Sequence, residues 1–161
     1  MAPTDRYRAR KQPKQERSQQ TRQWILQAAA HVFAERGYAG GTTNHIAERA
    51  GLSVGSVYQY FPNKDAILRA LMDDHLDAGA QLLTDRIAAG LPPRLEDTLR
   101  LFVRTTIDHH LDNPRLHRVL FEEAPRAPSF LARLHEAENH LTALITHLFD
   151  HYPEVQTPNP A

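Results

Sequence analysis

Ser53, Val54, Gly55, Ser56 and Gln59 fall within one short segment, and their side chains are small or carry short polar groups. Such residues let the N-terminal end of a helix enter a DNA major groove and read base edges. Gln59 is the main long polar side chain among them, and its amide suits adenine. The other chemical reservoir is histidine, with ten residues and no cysteine. His147 and His151 stand four apart with His140 a further seven back, but no nearby acid completes a recognisable metal motif. His109 and His110 are adjacent, so a helix would point them in different directions. Surface histidines without a metal site are the expectation, and no cofactor is expected. The absence of cysteine excludes disulfides, thiol catalysis and thiolate ligation. With no Ser/His/Asp order, phosphate-binding glycine loop or paired-carboxylate motif, an enzyme is not expected.

Helices must position these residues. Apolar spacing at Trp24, Ile25, Ala28, Ala29, Val32 and Phe33 predicts a first helix capped by Ser18 and stopped by Gly37. A second short helix spans Asn44 to Ala50, and Gly51-Leu52-Ser53 is a tight turn into a third, Val54 to about Phe61. Two short helices joined by a Gly-containing turn form the core of a helix-turn-helix. Ile46, Ala47 and Ala50 would face inward, with Leu52 and Val57 filling the angle between the helices. A fourth helix, capped by Asn63, would run from Lys64 towards Gly90. A fifth follows from Arg94 to Leu111, with Leu95, Leu99, Phe102, Val103 and Ile107 in phase. A short sixth ends at Glu123, and a seventh covers Ser129 to Asp150. The fold class is therefore all-α. The domain boundaries are a flexible basic arm at 1–17, a three-helix DNA-binding domain at 18–63 (motif 41–60), a helical regulatory domain at 64–152 and a disordered proline-rich tail at 153–161.

Charge divides along the same line. Residues 1–64 carry ten Lys/Arg against four Asp/Glu, a net of +6, and the remainder carries nine against fifteen, a net of −6. A basic head suits a polyanion through counterion release. No apolar run approaches the roughly 20 residues of a membrane span, and no signal-peptide core is present, so a cytoplasmic location is expected.

The array Phe33, Gly37-Tyr38, Thr42-Thr43, Ile46-Ala47, Ala50-Gly51, Tyr58, Tyr60-Phe61 and Asn63-Lys64 resembles the DNA-binding domain of the TetR family of regulators over residues 18–72. The loop Gly37 to Thr43 is one residue longer than the commonest family spacing. The resemblance implies that Thr42 and Thr43 open the second helix beside a phosphate, with Thr43 as the hydrogen-bond partner. It implies a phosphate contact from Tyr58, one from Tyr60 unless that ring serves as core with an exposed hydroxyl, a charge anchor at Lys64, and base-edge or sugar-phosphate contacts from Ser53, Val54, Gly55 and Ser56. His45 would lie near DNA or be a solvated helix residue.

The resemblance further implies a C-terminal ligand-binding and dimerisation domain. Its candidate pocket comprises Leu68, Met72, His75, Phe102, Thr106, His110 and Phe121. The same residues would serve equally as an ordinary helical core; as a pocket they would suit a mostly apolar molecule oriented by His75, Thr106 and His110. Relatives continue into two further long helices that pack as a dimer interface, so the chain reads as a short form or a truncated product. The resemblance implies a homodimer all the same, which would present two recognition helices to a palindromic operator whose half-sites lie about 34 Å apart. The expected function is a double-stranded-DNA-binding transcriptional regulator, a repressor released by a small-molecule effector. The alternative is a helical adaptor that retains the head without specific DNA contacts.

Overall fold

In the computed structural model, which describes residues 13–152, the chain forms seven helices, with no strand among the described residues. The expected arm at 1–12 and tail at 153–161 lie outside the described residues. Two units emerge, one ending at Ile67 and one beginning at Leu68. That boundary falls inside the fourth helix, a few residues beyond the expected one at 63/64.

In the first unit, α1 covers Pro13–Gly40, α2 Thr43–Ala50 and α3 Val54–Tyr60. The first helix begins earlier than the Ser18 cap would allow. Lys14 to Arg17 are good helix formers and Pro13 is tolerated in a first turn, so the last part of the expected arm is helical. The stop at Gly37 is local: φ 69° and ψ 176° break the helix there, and one further turn, Tyr38–Gly40, follows. The Gly41 N–H donates to the Gly37 carbonyl at 3.0 Å and closes that turn. Ile25, Leu26, Ala29, Val32 and Phe33 of α1 are buried, as are Ile46 and Ala47 of α2, Val57 of α3, and Phe61. Trp24, expected on the apolar face, is half exposed.

Both short helices depend on their caps, since isolated helices of such length do not persist in water. The His45 N–H donates to Thr42 Oγ1 at 3.2 Å, and Gly51 ends α2 in the left-handed conformation at φ 67°. The Ser56 N–H donates to Ser53 Oγ at 3.0 Å. Arg49 forks onto both oxygens of Glu35 at 2.8 Å, tying α2 to α1.

The second unit holds the rest of α4 (Lys64–Ala88), then α5 (Leu95–Leu111), α6 (Pro114–Arg118) and α7 (Pro128–Phe149). Beyond Arg118 the chain stays helical but widens to π-helical hydrogen bonding at Val119–Glu123. Ile67, Leu68, Met72, Val119, Leu120, Phe130 and Leu148 are buried. The expected phase of α5 is corrected: Leu99, Val103, Ile107 and Leu111 form an exposed stripe at four-residue spacing, with Val103 57 % exposed. Thr98 and Thr105 are buried instead. Thr98 is accommodated because its hydroxyl lies 2.5 Å from that of Tyr152, which in turn donates to the Pro92 carbonyl at 2.8 Å. Arg133 of α7 pairs with Asp73 and Asp77 of α4, while Arg69 pairs with Asp73 and donates to the Ser129 carbonyl at 2.7 Å.

Candidate nucleic-acid interface

The two caps that hold α2 and α3 also shape the surface between them. Ser53 at the N-terminus of α3 is exposed, and its hydroxyl lies 2.8 Å from that of Ser56. Gly55 is exposed, and a Cβ built on it would meet nothing nearer than Ser53 Oγ at 3.8 Å, so bare backbone is presented there. Gln59 is exposed one turn further along, while Val54 and Ser56 are half-buried. The resulting face is low, slightly polar and open at a helix N-terminus, where unpaired N–H groups and the helix dipole attract anions.

Thr43 and Tyr58 come together at its edge, their hydroxyls 3.3 Å apart. Tyr58 is 51 % exposed despite its ring, so its hydroxyl reaches solvent without an apolar shield. Thr42 is exposed but its Oγ1 is committed to the α2 cap. Tyr60 is half-buried. The structure thus brings Thr43 and Tyr58 to one spot from separate helices. Seven residues of sequence separate the start of α2 from the turn, and only the crossing of the helices joins them.

Lys64 occupies a different setting from a free anchor. Its Nζ donates to the Tyr38 carbonyl at 2.9 Å and to the Gly41 carbonyl at 3.5 Å, and lies 4.1 Å from the centre of the Tyr38 ring. An ammonium has three protons, so one remains for an external oxygen. The Tyr38 hydroxyl in turn donates to Asp65. Burial, then that bond and the Asp65 charge, push its pKa well above the usual phenol value. These contacts lock the Gly37–Gly41 turn against the start of α4 within the first unit. His45 is half-buried, and its Nδ1 is enclosed without a hydrogen-bond partner.

The candidate pocket residues of the second unit separate into two groups. Leu68 and Met72 are buried core on α4, Phe102 is half-buried, and Thr106 is exposed with its side chain turned outward. His75, His110 and Phe121 do converge, together with His109 and His117, which the sequence reasoning had not placed beside them. His109 and His110, expected to point in different directions, both reach His75, their ring centroids 4.3 and 5.4 Å from its ring and 5.4 Å from each other. Burial first, then the neighbouring His109, His110 and His117, lowers the His75 pKa to about 4. The His117 pKa is lowered by the same two causes, burial leading. No sequence spacing announced this cluster, since its members come from α4, α5 and α6.

Comparison with known proteins gives two family matches: residues 25–71 to "Bacterial regulatory proteins, tetR family" and residues 94–161 to "Tetracyclin repressor-like, C-terminal domain". The nucleoid occlusion factor SlmA of Haemophilus influenzae is 33 % identical over 125 residues, covering 70 % of this chain and 56 % of that protein. The transcriptional regulator TtgR of Pseudomonas putida is 42 % identical over 67 residues, covering 38 % of this chain and 32 % of its own length. The chain thus spans between a third and a little over half of these curated relatives. A TetR family transcription regulator from Marinobacter aquaeolei superposes with a TM-score of 0.67 at 26 % identity, covering 82 % of this chain and 70 % of that one. A second, from Haloarcula marismortui, gives 0.71 at 25 %, with 83 % and 70 % covered. No helix among the described residues is long and apolar enough to cross a membrane.

Proposed function

The chain belongs to the TetR family of bacterial regulators, and from that premise we propose that it binds double-stranded DNA through α2 and α3 and acts as a transcriptional repressor. The observation that carries this reading is the pairing of the Thr43 and Tyr58 hydroxyls beside the open, Gly55-bearing N-terminus of α3. Ser53, Gly55 and Gln59 form the reading face, with Val54 and Ser56 at its base. Thr43 and Tyr58 supply uncharged phosphate contacts, and Tyr60 and the remaining proton of Lys64 add further ones. The +6 head supplies sequence-independent attraction. With few long side chains on the face, specificity comes from Gln59, from van der Waals contacts and water, and from DNA shape.

The repressor acts as a homodimer on a palindromic operator in the cytoplasm, and a small molecule held by the second unit releases it. Because α4 contributes residues to both units, an effector that shifts α4 changes how the DNA-binding heads are presented. By linkage, DNA then weakens effector binding by the same factor. Support comes from the named regulators among the relatives, including the transcriptional repressor KstR2 of Rhodococcus jostii, 36 % identical over 88 residues. Selection of bound sequences from random duplex by the purified chain, followed by the stoichiometry of the complex, tests the proposal. A shared palindromic motif bound by two chains is expected. Recovery of no motif favours the adaptor alternative.

A further inference from the structure

His75 of α4, His110 of α5 and His117 of α6 each offer a ring nitrogen, and these nitrogens lie within 4.8 Å of one another. From this convergence we propose that the second unit holds a divalent transition-metal ion on a tri-histidine site, a property independent of the DNA-binding reading.

The rings of His75 and His110 meet at 79°, those of His110 and His117 at 74°, and those of His75 and His117 at 67°, with centroids 4.6 to 5.5 Å apart. These are edge-to-face contacts of the ordinary aromatic kind, and what marks the cluster as a ligand set is the approach of one nitrogen from each ring to within 4.8 Å of the other two. Tetrahedral Zn–N bonds of about 2.0–2.1 Å put ligand nitrogens about 3.3–3.4 Å apart, so closure asks for shifts of about 1.4 Å or less. All three rings are half-buried, and side-chain rotation is the movement this closure asks of them.

Surrounding groups already do what outer-sphere partners do at metal sites. His110 Nδ1 lies 2.6 Å from the Thr106 carbonyl, which only accepts, so Nδ1 carries the proton and Nε2 presents its lone pair. His109 stacks on His75 at 4.3 Å and 17°, and its Nε2–H donates to the His75 carbonyl at 3.1 Å. Gly79 makes room for that ring, since a Cβ there would stand 3.1 Å from His109 Nε2. Phe121 stacks on His117 at 4.3 Å and 26°, forming an apolar wall. The π-helical turn at Val119–Glu123 begins just after His117, and such turns recur at functional sites.

The ligand set decides the ion. Three neutral imidazoles without thiolate or carboxylate suit Zn²⁺, Ni²⁺, Co²⁺ or Cu²⁺ and disfavour Mg²⁺ and Ca²⁺, which prefer oxygen. Three protein ligands leave a coordination position for water or an anionic ligand.

The test uses the full chain, stripped with chelator, titrated with Zn²⁺ by calorimetry and with Co²⁺ by visible absorption. A single ion per chain, visible bands of tetrahedral Co²⁺ and a Zn²⁺-dependent rise in melting temperature are expected. His110→Ala and His117→Gln should each weaken binding by about 100-fold or more while retaining the helical circular dichroism of the parent. The double variant His147→Ala/His151→Ala, on the exposed surface, should bind like the parent. No binding at micromolar Zn²⁺ overturns the proposal. So does unchanged affinity in His117→Gln and His110→Ala, or loss of the ion in the His147/His151 variant alone. If His110→Ala does not fold, His117→Gln decides, because that side chain is only half-buried.

Discussion

Gly40 and Gly41 are neighbours in sequence and opposite in tolerance. A Cβ on Gly41 would stand 2.5 Å from Phe33 Cδ1, 2.8 Å from Cε1 and 3.1 Å from the Gly37 carbonyl oxygen. Carbon atoms in contact prefer about 3.5–4.0 Å, so the overlap is about 1 Å. Phe33 is fully buried, and its ring has no solvent into which to retreat. Overpacking of this kind costs about 1–3 kcal/mol, and Gly41→Ala belongs at the upper end because backbone is struck as well as ring. For a chain of this length about 2–3 kcal/mol corresponds to a fall of about 4–12 °C in melting temperature. On Gly40 the same Cβ would meet only Arg36 Cβ, at 3.4 Å, on an exposed surface. Gly40→Ala should therefore stay within about 0.5 kcal/mol of the parent. The single tryptophan, Trp24, lies in the first unit, so its fluorescence during thermal or urea unfolding reports the head rather than the whole chain. Phe33→Leu combined with Gly41→Ala should recover part of the loss, since neighbouring substitutions couple. Equal melting temperatures for Gly40→Ala and Gly41→Ala would refute the packing argument.

Three further outcomes are expected. Ser53→Ala removes the α3 cap and should cost about 1 kcal/mol by urea unfolding; Ser53→Asp should keep the cap and its stability yet weaken DNA binding by charge repulsion. Equal DNA affinity in Ser53→Asp and parent would remove Ser53 from the interface. Tyr152→Phe strips the buried Thr98 hydroxyl of its 2.5 Å partner and should cost about 1–2 kcal/mol in the same assay, whereas an unchanged midpoint would mean that the pair adds nothing. In metal-free buffer, stability should fall as pH drops from about 6.5, where the unfolded His75 takes up a proton, towards about 4, where the folded one does. Burial, and then the charges of His109, His110 and His117 that face it, set the lowered pKa of His75, so His75→Gln should flatten this dependence. An identical profile in His75→Gln and parent would contradict it.

The head was legible because its signals are local. Caps at Thr42, Ser53 and Asn63, the turn at Gly51 and the inward trio Ile46, Ala47 and Val57 all speak within a few residues of themselves. The helices of the second unit were legible for the same reason, but their orientation was not. Apolar phase placed Leu99, Val103 and Ile107 in the core, whereas α5 buries Thr98 and Thr105. Nothing in a periodic pattern reveals that a distant Tyr152 hydroxyl satisfies a threonine and allows that face to turn inward. Lys64 shows a similar limit: its charge suggested an anchor, while the fold spends two of its protons on the Tyr38 and Gly41 carbonyls. The histidine cluster depends on three helices meeting. Attention to spacing within one helix therefore weighed only the exposed His147 and His151 as a metal pair, and placed His75 and His110 in a pocket without His117 beside them.

Gly55 gives the most direct access to the claim that α3 enters DNA. It is exposed, it lies in the first turn of the helix where an acidic side chain suits the dipole, and a Cβ there meets nothing closer than 3.8 Å. Gly55→Glu should therefore fold with the parent's melting temperature while placing a carboxylate against the groove. The decisive measurement is the affinity of parent and variant for a selected duplex across a range of salt. The parent should bind with a steep inverse dependence on salt, about 0.9 in log–log slope for each phosphate neutralised, and Gly55→Glu should lose specific binding at every salt concentration. Undiminished binding by a folded Gly55→Glu would contradict the assignment of this face to DNA.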